Sequence, residues 1–93
     1  AHPGEFYKHM GDTRAGIGAV LKLLYTADTS ITAGMISDRL DISTARVAVL
    51  LKKMVAKGLI TKEKDPIDAR VTIVKLTEYG RETIEHMWAD VKI

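Results

Sequence analysis

Cationic side chains are concentrated in the middle of the chain. Residues 43–64 contain six lysine or arginine side chains and one carboxylate, a net charge of +5, whereas residues 76–93 carry a net charge of −2. Clustered cations bind phosphate oxygens, and the planar guanidinium of Arg46 can also donate two parallel hydrogen bonds to the O6 and N7 atoms of guanine. The charge pattern therefore predicts that the middle third of the chain meets a polyanion.

Other residues that carry chemistry are few. The chain has no cysteine, which excludes disulfides and zinc–thiolate sites and suits a reducing cytoplasm. Two of the three histidines fall within the first nine residues and His86 stands alone, so metal binding and histidine acid–base catalysis are not expected. The sequence contains no glycine-rich nucleotide loop and no apolar run of bilayer-spanning length. We therefore predict no enzyme activity, no cofactor and no membrane partner.

Local signals predict the helices that position the cations. Thr32 is the expected N-cap of a short second helix that ends near Leu40, and Ser43 caps a third helix over about residues 43–57. Apolar residues recur at i, i+3, i+4 and i+7 along the third helix, and Gly58 ends it. Two helices joined by so short a turn form a helix-turn-helix, whose second helix is the recognition helix.

A β-hairpin and a last helix follow. Residues 59–76 predict two strands connected by the turn-forming residues 65–70, and this hairpin is the wing. Thr77 is the expected N-cap of a C-terminal helix over about residues 78–93. The sequence therefore predicts a mainly α fold with a small β-hairpin, a winged helix-turn-helix DNA-binding domain.

The length of 93 residues is that of one domain. Ala1 is not an initiator, and His9-Met10 is typical of a cloning junction. Residues 1–9 are therefore expected to be a tag or cloning remnant, and residues 10–93 a single winged helix-turn-helix domain.

The predicted DNA interface combines the third helix and the wing. Arg46 lies in the first turn, which reaches base edges in the major groove, and Val49 can touch a thymine methyl group. Arg70, near the wing tip, can enter the minor groove, with Asp68 close enough to orient it. The alternatives are ordinary solvated lysines and an exposed ion pair. The candidate DNA contacts are Ser43, Thr44, Ala45, Arg46, Val49, Lys52, Lys53, Lys62, Lys64, Asp68 and Arg70.

Several short patterns occur together and in order between residues 31 and 80. They are Ile31-Thr32 leading to Ile36 and Leu40, Ser43 at the turn, Gly58-Leu59-Ile60, Asp65-Pro66-x-Asp68-x-Arg70, and Leu76-Thr77-x-x-Gly80. With these patterns the chain resembles the MarR family of transcription regulators. The resemblance implies a cytoplasmic bacterial or archaeal regulator, usually a repressor, that binds a pseudo-palindrome as a homodimer. It also implies that Arg70 enters the minor groove with Asp68 as its partner.

The chain departs from the family pattern at several places, among them Met35, which stands where an acidic residue is common. Arg46 stands where Ser or Thr is common and Val49 where Arg is common, so a different base preference is expected. Asp41 replaces the usual turn glycine. The last helix, with about 16 residues after Thr77, is not expected to complete the usual long-helix dimer interface. Many family members bind small aromatic acids between their two lobes, and for this chain a small-molecule effector stays an open question.

The apolar residues Ile17, Val20, Leu21, Leu24 and Tyr25 recur at helical spacing and predict a first helix. A homodimer through the first and last helices is nevertheless expected. The candidate dimerisation residues are Ile17, Leu21, Ile84, Met87, Trp88 and Val91. The leading interpretation is a sequence-specific regulator of transcription that binds double-stranded DNA, expected to be a repressor. The alternative is a winged-helix protein–protein interaction module without DNA binding, which would use an exposed apolar stripe that begins at Ile84.

Overall fold

A computed structural model of the chain describes residues 16–92, and the side chains among them as far as Met87. The expected tag, residues 1–9, and the side chains of Trp88 and Val91 lie outside the described residues. The helices are α1 (Ile17–Thr26), α2 (Ala33–Leu40), α3 (Thr44–Ala56) and α4 (Glu78–Lys92). The strands are β1 (Ile31–Thr32), β2 (Ile60–Lys64) and β3 (Thr72–Leu76). This architecture confirms the predicted winged helix-turn-helix.

The sheet contains one strand more than the predicted hairpin. All pairs are antiparallel, and β3 lies in the centre with β1 on one side and β2 on the other. Ile31 of β1 pairs with Val74, and both side chains are buried. The two β-branched residues of β1, Ile31 and Thr32, therefore cover the free edge of β3 and connect the wing to the start of α2.

Three of the helices are capped at their N-termini by side-chain hydroxyls, as the sequence predicts. The Oγ1 of Thr32 accepts the backbone N–H of Met35 at 3.1 Å, and the Oγ of Ser43 accepts that of Arg46 at 3.1 Å. The Oγ1 of Thr77 accepts the N–H of Gly80 at 2.9 Å. Caps of this kind each stabilise a helix by about 1 kcal/mol, so the starts of α2, α3 and α4 are set locally.

The turn between α2 and α3 includes a left-handed residue that is not glycine. Asp41 has φ 55° and ψ 50°, a conformation that short polar residues tolerate better than most. The hydroxyl of Ser37 donates to the carbonyl oxygen of Ile42 at 2.6 Å, and the N–H of Ile42 donates back to the carbonyl oxygen of Ser37 at 3.2 Å. These bonds fix the angle at which α3 leaves α2.

The end of α3 is joined directly to the wing and to α4. Gly58, at φ 76°, donates to the carbonyl oxygen of Val55, and Leu59 donates to that of Met54, both at 2.9 Å. The Thr77 hydroxyl donates to the carbonyl oxygen of Gly58 at 2.6 Å. Gly80 lies so close to the backbone of Leu59 that a Cβ there would collide with its carbonyl oxygen. The base of the wing and the first turn of α4 are therefore in close backbone contact.

The core lies between the helices and the sheet, and α1 packs against α4 and β3. Its members are apolar throughout. They are Val20, Leu21, Ile31, Ile36, Val47, Leu50, Leu51, Met54, Leu59, Ile60, Val74 and Ile84. Because four of these come from α3, the recognition helix is anchored along one face and leaves the other in solvent.

Candidate nucleic-acid interface

The free face of α3 is apolar in its first two turns. Successive residues of a helix are separated by about 100°, so the direction opposite the buried stripe is that of Ala45, Val49 and Lys52. All three are exposed, and Val49 leaves 54% of its surface in solvent. The outermost part of the helix therefore presents methyl groups first and an ammonium group one turn later.

Arg46 lies on a flank of α3 rather than on its outermost stripe. It is about 90° around the helix from that stripe, on the same side as the exposed Lys53, seven residues further on. Thr44 and Ala48 lie on the opposite flank, which faces the wing. Arg46 is exposed, and its position around the helix places it on the side of α3 away from the wing.

A cleft separates α3 from the wing. It has a volume of about 150 Å³ and is lined mainly by small or apolar side chains, with one cation. The lining residues are Ala33, Gly34, Thr44, Val47, Ala48, Leu51, Lys62 and Thr72. The cleft thus brings two of the predicted contacts, Thr44 and Lys62, from separate elements to one place.

The two faces of the wing differ in charge. Lys62 pairs with Val74 and Lys64 with Thr72, and since side chains alternate along a strand, both lysines lie on the face that carries Val74. Glu63 lies on the other face, where its Oε1 is 2.8 Å from the Nζ of Lys75. The one carboxylate of the basic segment is therefore turned away from Lys62 and Lys64 and is paired.

The wing tip holds an arginine against a carboxylate. Two atoms of the Arg70 guanidinium, Nε and Nη2, donate to Oδ1 and Oδ2 of Asp68 at 3.1 and 3.2 Å. The Arg70 backbone N–H also donates to Oδ1 at 3.0 Å. These bonds, first that of the guanidinium and then that of the backbone, hold the pKa of Asp68 below its ordinary value. Arg70 is thereby oriented while its side chain stays 90% exposed.

Asp65 organises the tip, a role that was not predicted from the sequence. Its Oδ1 accepts the backbone N–H groups of Ile67 at 2.7 Å and Asp68 at 3.2 Å. Its own N–H donates to the carbonyl oxygen of Val71 at 3.0 Å, and the Val71 N–H donates to that of Asp68 at 2.9 Å. An aspartate before a proline is a common turn signal, so the sequence did contain a sign of this arrangement.

The candidate dimerisation residues differ in accessibility. Leu21 and Ile84 are each 1% exposed within the chain's own core, and Ile17 is partly buried against it. The expectation that an exposed apolar stripe begins at Ile84 is wrong, because α4 uses this side chain to pack on the rest of the domain. Met87 is 44% exposed.

A polar cluster links α1 to α4. The Tyr25 hydroxyl donates to the Oε2 of Glu85 at 2.9 Å, and the Arg81 guanidinium carbon lies 5.6 Å from the centre of the Tyr25 ring. The hydrogen bond to the carboxylate, which favours the neutral phenol, raises the pKa of Tyr25. Glu85 therefore helps to fix the orientation of α4 on α1, a role that was not predicted from the sequence.

The described residues offer few other sites. Among residues 16–92, no group of three or more histidine, cysteine, aspartate or glutamate side chains is placed to hold a metal ion. None of the helices described is both long and apolar enough to cross a bilayer.

Comparison with known proteins identifies the domain. A model of the MarR family matches residues 18–71, which is more than half of the chain. The HTH-type transcriptional regulator YdgJ of Bacillus subtilis is 39% identical over 66 residues, which cover 71% of this chain and 40% of YdgJ. The transcriptional regulator AdcR of Streptococcus pneumoniae is 33% identical over 63 residues, covering 68% of this chain and 43% of AdcR. The chain thus matches about two fifths of the length of these relatives.

The fold is also that of solved regulator structures. The crystal structure of the S. aureus MepR–DNA complex superposes with a TM-score of 0.74 over 92% of this chain and 76% of MepR, at 23% sequence identity. At that identity the likeness establishes the fold, whereas the family model and the two curated relatives rest on the sequence itself. The chain belongs to the MarR family.

Proposed function

We propose that this chain is the DNA-binding domain of a sequence-specific transcription regulator. In this proposal α3 lies in the major groove of double-stranded DNA and Arg70 enters the adjacent minor groove. The observation that carries it is the pairing of a free α3 face, one flank of which holds Arg46 and Lys53, with a wing that presents Lys62, Lys64 and an oriented, exposed Arg70. Two separate elements with these properties match the two grooves of one duplex.

Each candidate contact has a physical role in this arrangement. Arg46 donates to the O6 and N7 atoms of a guanine from the flank of the helix, while Ala45 and Val49 approach the base edges closely. Ser43 and Thr44, with the first backbone amides of α3, bind phosphate oxygens. The lysines neutralise the backbone, Lys52 and Lys53 along α3 and Lys62 and Lys64 along the wing. Asp68 makes no base contact and keeps Arg70 extended.

The relatives support the same proposal. YdgJ and AdcR are transcriptional regulators by name, and MepR, which shares the fold, has been crystallised with DNA. We further propose that the protein is a repressor in the cytoplasm of a bacterium or archaeon and that it works as a homodimer. The exposed Met87 and the partly buried Ile17 are where α4 and α1 can contact a second copy. Leu21 and Ile84 would then support the interface from the core.

Selection of bound duplexes from a random pool, followed by titration of the selected site at several salt concentrations, tests the proposal. We expect affinity to fall with salt, with a log–log slope of about −0.9 per phosphate neutralised. Arg70→Ala should weaken binding to all sequences, and Arg46→Ala should relax the preference at one base pair of each half-site. Lys22→Ala, an exposed charge change on α1, is the matched control and should leave both properties unchanged.

Two results would count against the proposal. Absence of binding to any duplex at low salt rejects DNA recognition. A site without two-fold symmetry, together with a monomeric mass in sedimentation at tens of micromolar protein, rejects the homodimer and leaves DNA binding standing.

A further inference from the structure

The wing tip carries an apolar side chain that the domain itself does not use. Ile67 is 96% exposed, the largest exposed fraction among the large apolar residues of the described part of the chain. Its neighbours Asp65, Asp68 and Val71 are joined to one another by backbone and carboxylate hydrogen bonds. Ile67 therefore contributes almost nothing to the core, and its full apolar surface is available to a partner.

The backbone that presents Ile67 is fixed before any partner arrives. The Ile67 N–H donates to the Oδ1 of Asp65 at 2.7 Å, and Pro66 restricts the φ angle immediately before it. A β-branched side chain has few χ1 rotamers. Ordering this residue on binding consequently costs less conformational entropy than ordering a mobile loop.

Ile67 and Arg70 flank Asp68 on the same tip, and both project almost entirely into solvent. The DNA minor groove offers partners for this combination, since its potential is negative where A·T tracts narrow it and its walls are the C–H groups of the deoxyribose rings. Isoleucine is among the apolar residues that proteins place in this groove. A guanidinium and a branched alkyl group carried on one exposed tip match the floor and the wall of one narrow groove.

We propose that Ile67 is a DNA-contact residue that packs against the deoxyribose wall of the minor groove receiving Arg70. The inference rests on the proposed function and extends it, because it makes the wing sensitive to groove width through an apolar contact. An apolar contact releases no counterions, so its effect on affinity is independent of salt, whereas that of Arg70 is not.

The test compares the full chain with Ile67→Ser, Ile67→Val and Arg70→Ala on two duplexes. Both duplexes carry the selected major-groove site, and the segment under the wing is an A·T tract in one and G·C-rich in the other. Ile67→Ser should lower affinity about three- to tenfold on the A·T duplex, as expected when roughly half of an aliphatic side chain is buried against the groove wall. The loss should be smaller on the G·C duplex, and the salt slope should be unchanged. Ile67→Val should retain most of the wild-type affinity, and Arg70→Ala should reduce the salt slope by about one.

Tyr79→Ser is the control, since Tyr79 is another exposed large side chain and lies in the first turn of α4, outside the wing tip. Thermal unfolding of Ile67→Ser should match the wild type because the side chain is in solvent. If wild-type protein binds DNA and Ile67→Ser binds equally well, the inference is overturned while the proposed function stands. A loss that is equal on both duplexes, or a defect in self-association in place of DNA binding, also overturns it. Failure of the wild type to bind either duplex rejects the proposed function itself.

Discussion

Removal of one methyl group from the DNA should weaken binding at a defined position. Val49 lies on the outermost stripe of α3 and has about half of its surface in solvent. In the proposed complex this surface faces the major-groove edge of a base pair, where the C5 methyl group of thymine is the apolar feature. Replacing that thymine by deoxyuridine deletes the methyl group and leaves every hydrogen-bonding group of the base pair in place.

The expected magnitude follows from the area involved. Burying one methyl group stabilises a contact by about 0.8 kcal/mol, which corresponds to a fourfold change in affinity for each half-site. Full burial of a valine side chain is worth about 1.5–3 kcal/mol. With half of Val49 already covered by the protein, Val49→Ala should cost about 1 kcal/mol, or roughly fivefold.

The assay is a fluorescence anisotropy titration at fixed salt. Each thymine of the selected half-site is replaced by deoxyuridine in turn and titrated with wild type and Val49→Ala. At the position that Val49 contacts, the two changes should be non-additive, because either one removes the same contact. Val55→Ala is the matched control, an exposed valine six residues further along α3, and its effect should be additive with every deoxyuridine.

Two outcomes would refute the reasoning. One is a half-site in which no deoxyuridine substitution changes the affinity of the wild type. The other is strict additivity between Val49→Ala and all substitutions, which would show that Val49 acts through the fold of α3 and touches no thymine.

Three other perturbations test local features of the fold. Asp41→Gly should raise the free energy of unfolding by up to about 1 kcal/mol in urea denaturation, since glycine relieves the left-handed conformation. Gly80→Ala should lower it by about 3 kcal/mol or more, because the added Cβ collides with the backbone of Leu59 and the first turn of α4 must move. An NMR titration should give Asp68 a pKa below its ordinary value, and Arg70→Ala should return the pKa towards that value.

Each of these predictions has a result that would contradict it. A less stable Asp41→Gly variant would mean that the aspartate side chain makes a stabilising contact that outweighs its backbone strain. If Gly80→Ala leaves the free energy of unfolding unchanged, α4 can move away from the wing without loss of stability. The lowered pKa of Asp68 implies that its ionised form favours the native wing at pH above about 4 and that this effect is lost as the pH falls. An Asp68 titration that is the same in wild type and Arg70→Ala would rule out the ion pair in solution.

The sequence predicted features that depend on neighbours within a few residues. The caps at Thr32, Ser43 and Thr77 lie within three residues of the groups they bind, so a local pattern specifies them. The flank position of Arg46 was not predicted, although the angle per residue, measured from the buried stripe, specifies it.

The features that were not predicted from the sequence depend on contacts between residues far apart along the chain. Strand β1 has two residues and exists because the edge of β3, some forty residues later, is available to pair with it. Tyr25 and Glu85 are separated by 60 positions, and no short pattern indicates that they meet. The apolar residues around Ile84 have the same helical spacing whether their helix packs on α1 of its own chain or on a second copy of the protein. Only the tertiary structure distinguishes these two arrangements.

The Thr77 hydroxyl, which donates to the end of α3 and caps the start of α4, gives the domain a mechanical property. With Gly80 in contact with the backbone of Leu59, it makes the first turn of α4 and the end of the recognition helix one rigid joint. The 15 residues of α4 form an arm of about 22 Å. Tilting α3 by 10° displaces the far end of this arm by about 4 Å. A displacement of the far end of α4 is therefore coupled to a change in the angle at which α3 meets its partner.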